Sequence, residues 1–117
     1  MKIKEIANND NKIIDFLFDN NCINIKIELW DGRIKSLKCN KYYGMKEKQC
    51  INSEIGDIKE NETSIFMSEI KVDIENGGGD GTELNSIKSF VFYNAWNEQI
   101  ILEILAESIE IMELESQ

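Results

Sequence analysis

Histidine is absent from this 117-residue chain, and so is proline. The first absence excludes more than any other single fact in the sequence. Without imidazole there is no Ser-His-Asp or Cys-His nucleophilic machinery, no histidine proton shuttle and none of the common zinc sites. Catalysis would be left to carboxylates, or to a Cys or Lys of lowered pKa, and no signature points to either. The lack of proline leaves sharp stops to Asn, Asp and Gly. Cysteine is sparse: Cys22, Cys39 and Cys50 are an odd number with no CxxC spacing. At least one thiol is therefore unpaired, and we read all three as small buried hydrophobes, not as redox or metal centres.

Long apolar runs are missing too. None approaches the roughly 20 residues of a bilayer span. In MKIKEIANND the apolar residues stand singly, without the continuous stretch of a secretion signal. Hydrophobic residues nonetheless make up 42% of the chain, enough for a core. The sequence reads as one cytoplasmic domain over residues 1–117.

Positive charge is scarce in the latter part. Residues 1–48 hold 10 Lys/Arg and 7 Asp/Glu, a net +3, whereas residues 49–117 hold 3 Lys and 15 Asp/Glu, a net −12. Nucleic acid and anionic membrane are bound by cations and are repelled by such a field. A basic protein would be attracted by it. For any single carboxylate, plain solubility is the competing explanation.

What is present is mostly strand. Ile23, Ile25, Ile27 and Leu29 share one parity, and Asn24, Lys26 and Glu28 the other, as in a strand with one buried face. Asp31-Gly32 then suits a tight turn, and the chain returns to Cys39 as a hairpin. Lys12 to Phe18 reads as a strand closed by Asp19-Asn20-Asn21. Phe66, Ser68, Ile70, Val72 and Ile74 alternate with Met67, Glu69, Lys71, Asp73 and Glu75, which predicts a second amphipathic strand before the flexible Asn76–Gly81 connection. Ile87 to Tyr93 is apolar on both parities, like a central strand covered on both faces. Between Asn40 and Asn61 no period is sustained, and a short helix is expected around Tyr43 to Lys48. From Gln99 to Leu114 a strand requires a slip of parity near Glu107-Ser108, while a helix would carry Gln99, Glu103, Glu107 and Glu110 as a polar stripe. The expected fold is mainly β: an antiparallel sheet folded as a sandwich or partial barrel, with at most one or two short helices. The alternative is α+β with a C-terminal helix over 98–114.

Motifs for chemistry fail one by one. No Gly-rich phosphate loop follows from Asn76–Gly81, since no Lys or Ser stands at the required spacing, and Leu84 occupies the third glycine of a dinucleotide fingerprint. A calcium loop is spoiled by Gly77 where an oxygen ligand belongs, although Asp73, Glu75, Asp80 and Glu83 could coordinate weakly. Carboxylate pairs such as Glu54 with Asp57 or Glu60 with Glu62 read as solvated surface. No cofactor, metal or catalytic residue is expected. Tyr42, Tyr43, Trp30 and Trp96 fall at strand ends or in loops, where a large ring either caps the core or meets a partner.

The stretch Ser89-Phe90-Val91-Phe92-Tyr93-Asn94-Ala95-Trp96, running on through Ile100 to Ile111, resembles the C-terminal part of small bacterial immunity-type proteins. These accompany polymorphic or contact-dependent toxins. The resemblance spans about a quarter of the chain. It implies a β-rich fold and a non-enzymatic role, and assigns no individual residues. The leading expectation is thus an immunity-type protein that occludes a basic toxin, for instance a nuclease, with an acidic surface. Its contacts would come from Tyr42, Tyr43, Asp73, Glu75, Asp80, Glu83, Trp96, Glu103, Glu107 and Glu110. The alternatives are a small ligand-binding or scaffold domain and, last, a carboxylate enzyme.

Overall fold

The structure is a computed structural model that describes residues 6, 7 and 10–113, apart from the side chains of Glu83 and Glu113. Leu114, with which the C-terminal segment was expected to end, and most of the MKIKEIANND stretch lie outside the described residues.

Among the described residues eight strands form two antiparallel sheets. They are β1 (Lys12–Asp19), β2 (Cys22–Glu28), β3 (Ile34–Asn40), β4 (Gly44–Glu47), β5 (Ile55–Asn61), β6 (Lys88–Asn94), β7 (Ile100–Ala106) and β8 (Ser108–Glu113), with one helix, α1 (Ile65–Asn76), between β5 and β6. The first sheet has the order β1-β2-β3-β8 and the second β4-β7-β6-β5. Mainly β, two sheets and a single α-helix is the architecture the patterning predicted. Among the described residues no helix is long and apolar enough to cross a membrane.

The hairpin forms as read. β2 pairs with β3 from Ile23↔Cys39 to Glu28↔Ile34, and Gly32 supplies the positive φ of 86° in the turn. The parity of the sequence becomes the burial of the sheet: Ile23, Ile25 and Ile27 are fully buried. They meet Leu37, Cys39, Ile55, Ile58, Phe90, Phe92, Leu102 and Ile104 in one apolar cluster between the sheets. β6 is central, paired to β5 and β7, and Ser89 to Phe92 are buried on both parities. The expected slip near Glu107-Ser108 is also there: Glu107 alone separates β7 from β8. The 98–114 helix is therefore not formed. Isoleucines at 100, 101, 104, 109 and 111 favour strand, and the buried neighbours β6 and β3 supply the ladder partners.

At that slip the chain changes sheets, and β3 and β4 do so alongside it. The Glu107 N–H donates to Asn40 O (2.8 Å) and the Tyr43 N–H to Leu105 O (2.8 Å), so the pairing survives the corner. On the other side the sheets touch at a bridge between Lys12 and Glu54, extended by Ile13 N to Ser53 O and Ile55 N to Asn11 O.

Two expectations are corrected. The segment expected as a strand over 66–75 is α1, because its apolar groups also satisfy a helix: Phe66, Met67, Ile70 and Ile74 fall on one side at 3.6 residues per turn. Capping decides between the periods. The Ser64 hydroxyl accepts from Met67 N (3.0 Å), and the Gly77-Gly78-Gly79 run ends the helix with Gly79 N donating to Ile74 O (2.9 Å). Val72, which a strand would have buried with Phe66 and Ile70, is 52% exposed. The short helix expected at Tyr43–Lys48 is instead β4, an edge strand laid against β7 from Gly44↔Leu105 to Glu47↔Leu102. Its exposed Lys46 and Glu47 hid the period. β5 was hidden for a related reason: a register shift between Ile55 and Asp57 separates its two buried residues, Ile55 and Ile58, by three positions instead of two. Gly56 is required at that shift, since a Cβ there would lie 2.6 Å from Ala95 Cα.

α1 covers the outer face of the second sheet. Phe66 and Met67 pack with Leu84, Ile87 and Leu105 in a second apolar cluster. β7 is consequently buried on both faces, Ile104 towards the sandwich and Leu105 towards the helix. Replacing Phe92 by Ala should cost about 3–5 kcal/mol, a large part of a typical domain's stability. Val72→Ala should stay within about 0.5 kcal/mol. Denaturant unfolding of the two variants checks both, and comparable losses would contradict the helical placement of Val72.

Candidate protein-interaction surface

The residues predicted for partner binding do not converge on one spot. They fall into three groups set by the topology. Asp73 and Glu75 are exposed on α1, and Asp80 and Glu83 follow in the connection to β6, the Glu83 side chain lying outside the described residues. Tyr42, Tyr43 and Glu107 sit at the corner where the chain changes sheets. Trp96, Glu103 and Glu110 are dispersed over the second and first sheets.

At the corner the polar groups serve the fold. Lys41 Nζ lies 2.9 Å from Glu107 Oε2, and the Ser86 hydroxyl is 3.4 Å from the same oxygen. The hydrogen bond from Lys41, with its charge, holds the Glu107 carboxyl below the ordinary glutamate range, and Glu107 in return raises the Lys41 ammonium. Tyr42 is half-buried and packs obliquely on Phe18, ring centroids 6.2 Å apart; Tyr43 is 38% exposed. Glu103 accepts from the buried Ser89 hydroxyl at 2.6 Å. Glu110 stands opposite Lys38 in the β3–β8 register, on a face that also carries Asp15 opposite Lys26. That face has mixed charge. Trp96 is 77% exposed, with its indole N–H donating to Glu54 Oε2 at 2.8 Å.

Negative charge concentrates elsewhere. Residues 60–83 hold Glu60, Glu62, Glu69, Asp73, Glu75, Asp80 and Glu83 against Lys71 alone, a net −6 out of the chain's −9. These are the end of β5, α1 and the connections on either side of it. Glu60 pairs with Lys88 and Glu69 with Lys46, whereas Asp73 and Glu75 have no cation within salt-bridge distance among the described residues. Asp80 accepts from the Thr82 N–H (3.0 Å) and hydroxyl (2.8 Å), which lowers its pKa and shapes the loop.

The same helix exposes apolar side chains that sequence reasoning assigned to a core or passed over. Ile65 is 81% and Val72 52% exposed. With Ser68, Glu69 and Asp73 they form one open, nearly flat face of the helix. The signal that would have found them is the capping residue Ser64, which sets the helical phase, followed by the seven-residue spacing of Ile65 and Val72.

For chemistry the described residues offer little. Burial pushes both Cys39 and Cys50 up to about 12, Cys50 with help from the nearby Glu47 carboxylate, so neither is a thiolate nucleophile at neutral pH. Asp73, Glu75 and Asp80 do not come together as a cation site; among the described residues no three His, Cys, Asp or Glu side chains are grouped to hold a metal. Comparison with family models, curated proteins and solved structures found no match to this chain.

The Lys41–Glu107 pair predicts a pH effect of definite sign. A carboxyl whose pKa is depressed by folding stabilises the fold above its unfolded value and loses that contribution as pH falls through the folded value. Glu107 should therefore titrate below an ordinary glutamate in a carboxyl NMR titration, and Lys41→Met should return it towards that range. A Glu107 titration unchanged by Lys41→Met would refute the pairing.

Proposed function

We propose that this protein is a non-enzymatic binding protein for a basic protein partner, most concretely an immunity-type protein that occludes a cationic toxin. The observation that carries the reading is the gathering of net charge −6 in residues 60–83, around one solvent-facing helix, while the outer face of the first sheet mixes both signs. A nuclease or other phosphate-handling toxin presents a basic cleft, and a preformed acidic helix face is complementary to it. Field lines from clustered carboxylates speed encounter far more than the same number dispersed over a surface.

The chemistry of the chain supports binding over catalysis. It has no imidazole, and two of its three thiols are held protonated by burial. Among the described residues the predicted carboxylates are separated over three regions of the fold, whereas an acid/base pair needs two carboxyls facing each other across a cleft. The C-terminal resemblance to immunity-type proteins agrees with this reading.

Affinity capture from the source cell, followed by association kinetics with the captured protein, tests it. The partner should be basic, and its association rate should fall about tenfold or more between low and physiological ionic strength, as screening shortens the reach of the field to about 8 Å. A neutral or acidic partner, or an association rate indifferent to salt, would count against the proposal.

A further inference from the structure

α1 carries two apolar stripes, and the fold uses only one. Phe66, Met67, Ile70 and Ile74 face the second sheet. Ile65 and Val72 lie on the opposite side, two helical turns apart and about 10 Å along the axis, with Ser68 between them and Glu69 and Asp73 alongside on the same open face. Ile65 is left 81% exposed on a helix capped by Ser64. The lone helix lysine is directed elsewhere: the stem of Lys71 lies against Gly81 in the following loop. Lys46 reaches the helix from β4 but is committed to Glu69 at 3.3 Å and to the Phe66 ring at 4.8 Å. The outer stripe is thus apolar along its centre and acidic at its margin, without a competing cation of its own.

Resting on the reading above, we propose that the outer face of α1 is the docking surface, and that its occupant is an amphipathic helix of the basic partner. Two apolar residues of that helix, seven positions apart, seat beside Ile65 and Val72 over Ser68, whose small side chain leaves room between them. Its flanking Lys or Arg residues meet Asp73 and Glu75, the helix carboxylates not paired with Lys46. Charge complementarity singles out this occupant over a second copy of the chain, whose own α1 would bring like charge to the same place. Exposed Trp30 and Trp96 lie outside this contact, on the side where Asn11 binds Trp30 N and Glu54 binds the Trp96 indole.

Two synthetic peptides of about fourteen residues, four helical turns, provide the probe. They share one Leu, Lys and Arg composition; one places leucine at helical i, i+3 and i+7 spacing between cations, and the other is scrambled. Amide NMR titration of the protein should show shifts over Ile65–Asn76, with the ordered peptide binding at least tenfold more tightly. The Trp30 and Trp96 indole signals should stay in place. The double variant Ile65→Ser/Val72→Ser and the double variant Asp73→Lys/Glu75→Lys should each weaken that binding about tenfold. Asp15→Lys/Glu110→Lys, the same charge change on the outer face of the first sheet, should leave it nearly intact. All these positions are exposed or at the sheet surface, and far-UV circular dichroism verifies that the variants fold. Equal binding of both peptides with shifts scattered over the molecule would overturn the docking surface and leave the acidic-binding reading standing. Shifts centred on the tryptophans would overturn it as well. Failure of both peptides to bind at low salt would overturn the surface and the binding reading together.

Discussion

The burial of β7 on both faces is the constraint from which the rest of the architecture follows. One side of this strand, through Leu102, Ile104 and Ala106, closes the space between the sheets. Its other side would leave Leu105, and with it Ile87 from the neighbouring loop, in water. Among the described residues α1 and Leu84 of the following connection cover them. α1 does so with Phe66 and Met67, and Gly44 on the adjacent β4 admits the Phe66 ring, which would lie 3.0 Å from a Cβ at that position. Covering the sheet fixes the helical phase, and the phase decides which residues face outward. Ile65, Glu69, Val72 and Asp73 are exposed because Phe66, Met67, Ile70 and Ile74 are not.

Function is thereby tied to packing through a single helix. An acidic surface could be built from any carboxylates, but several of those around the sheets are occupied locally: Glu28 with Lys12, Glu60 with Lys88, Glu103 with Ser89, Glu107 with Lys41. Exposed pairs of this kind contribute little to stability, with a median near 0–1 kcal/mol. Their consequence is chiefly to neutralise the field around the sheets. Much of the net negative charge falls within residues 60–83, on α1 and the segments flanking it, and gives the molecule its electrostatic direction.

The sequence announced those elements whose local pattern and tertiary environment agree. Ile23, Ile25 and Ile27 alternate because β2 has one buried face, and the apolar run through Phe90 and Phe92 is continuous because β6 has two. The parity slip between Ala106 and Ile109 was visible too, though as a bulge in one strand and not as the crossing between sheets that the structure places there. Where two periods fit the same residues, the pattern misled: Phe66, Ser68, Ile70, Val72 and Ile74 alternate, yet Ser64 and the glycine run from Gly77 mark the ends of a helix. β4 and β5 were illegible because edge strands with exposed Lys46 and Glu47, or with a bulge at Gly56, carry no steady alternation. Half of the candidate site was legible on the same grounds. Asp73, Glu75 and Asp80 could be named from charge alone, but their separation from Glu103, Glu107 and Glu110 depends on topology. Ile65 and Val72 could not be told from core residues until the helical phase was known.

The central claim is that α1 turns one face to its own sheet and the other to a basic partner. Hydrogen exchange of the protein alone and in complex with its captured partner measures this most directly. The account predicts that protection gained on binding is centred on residues 65–76, with the amides of the first sheet unchanged. Protection gained on β1, β2 or β8, with α1 exchanging as in the free protein, would contradict it.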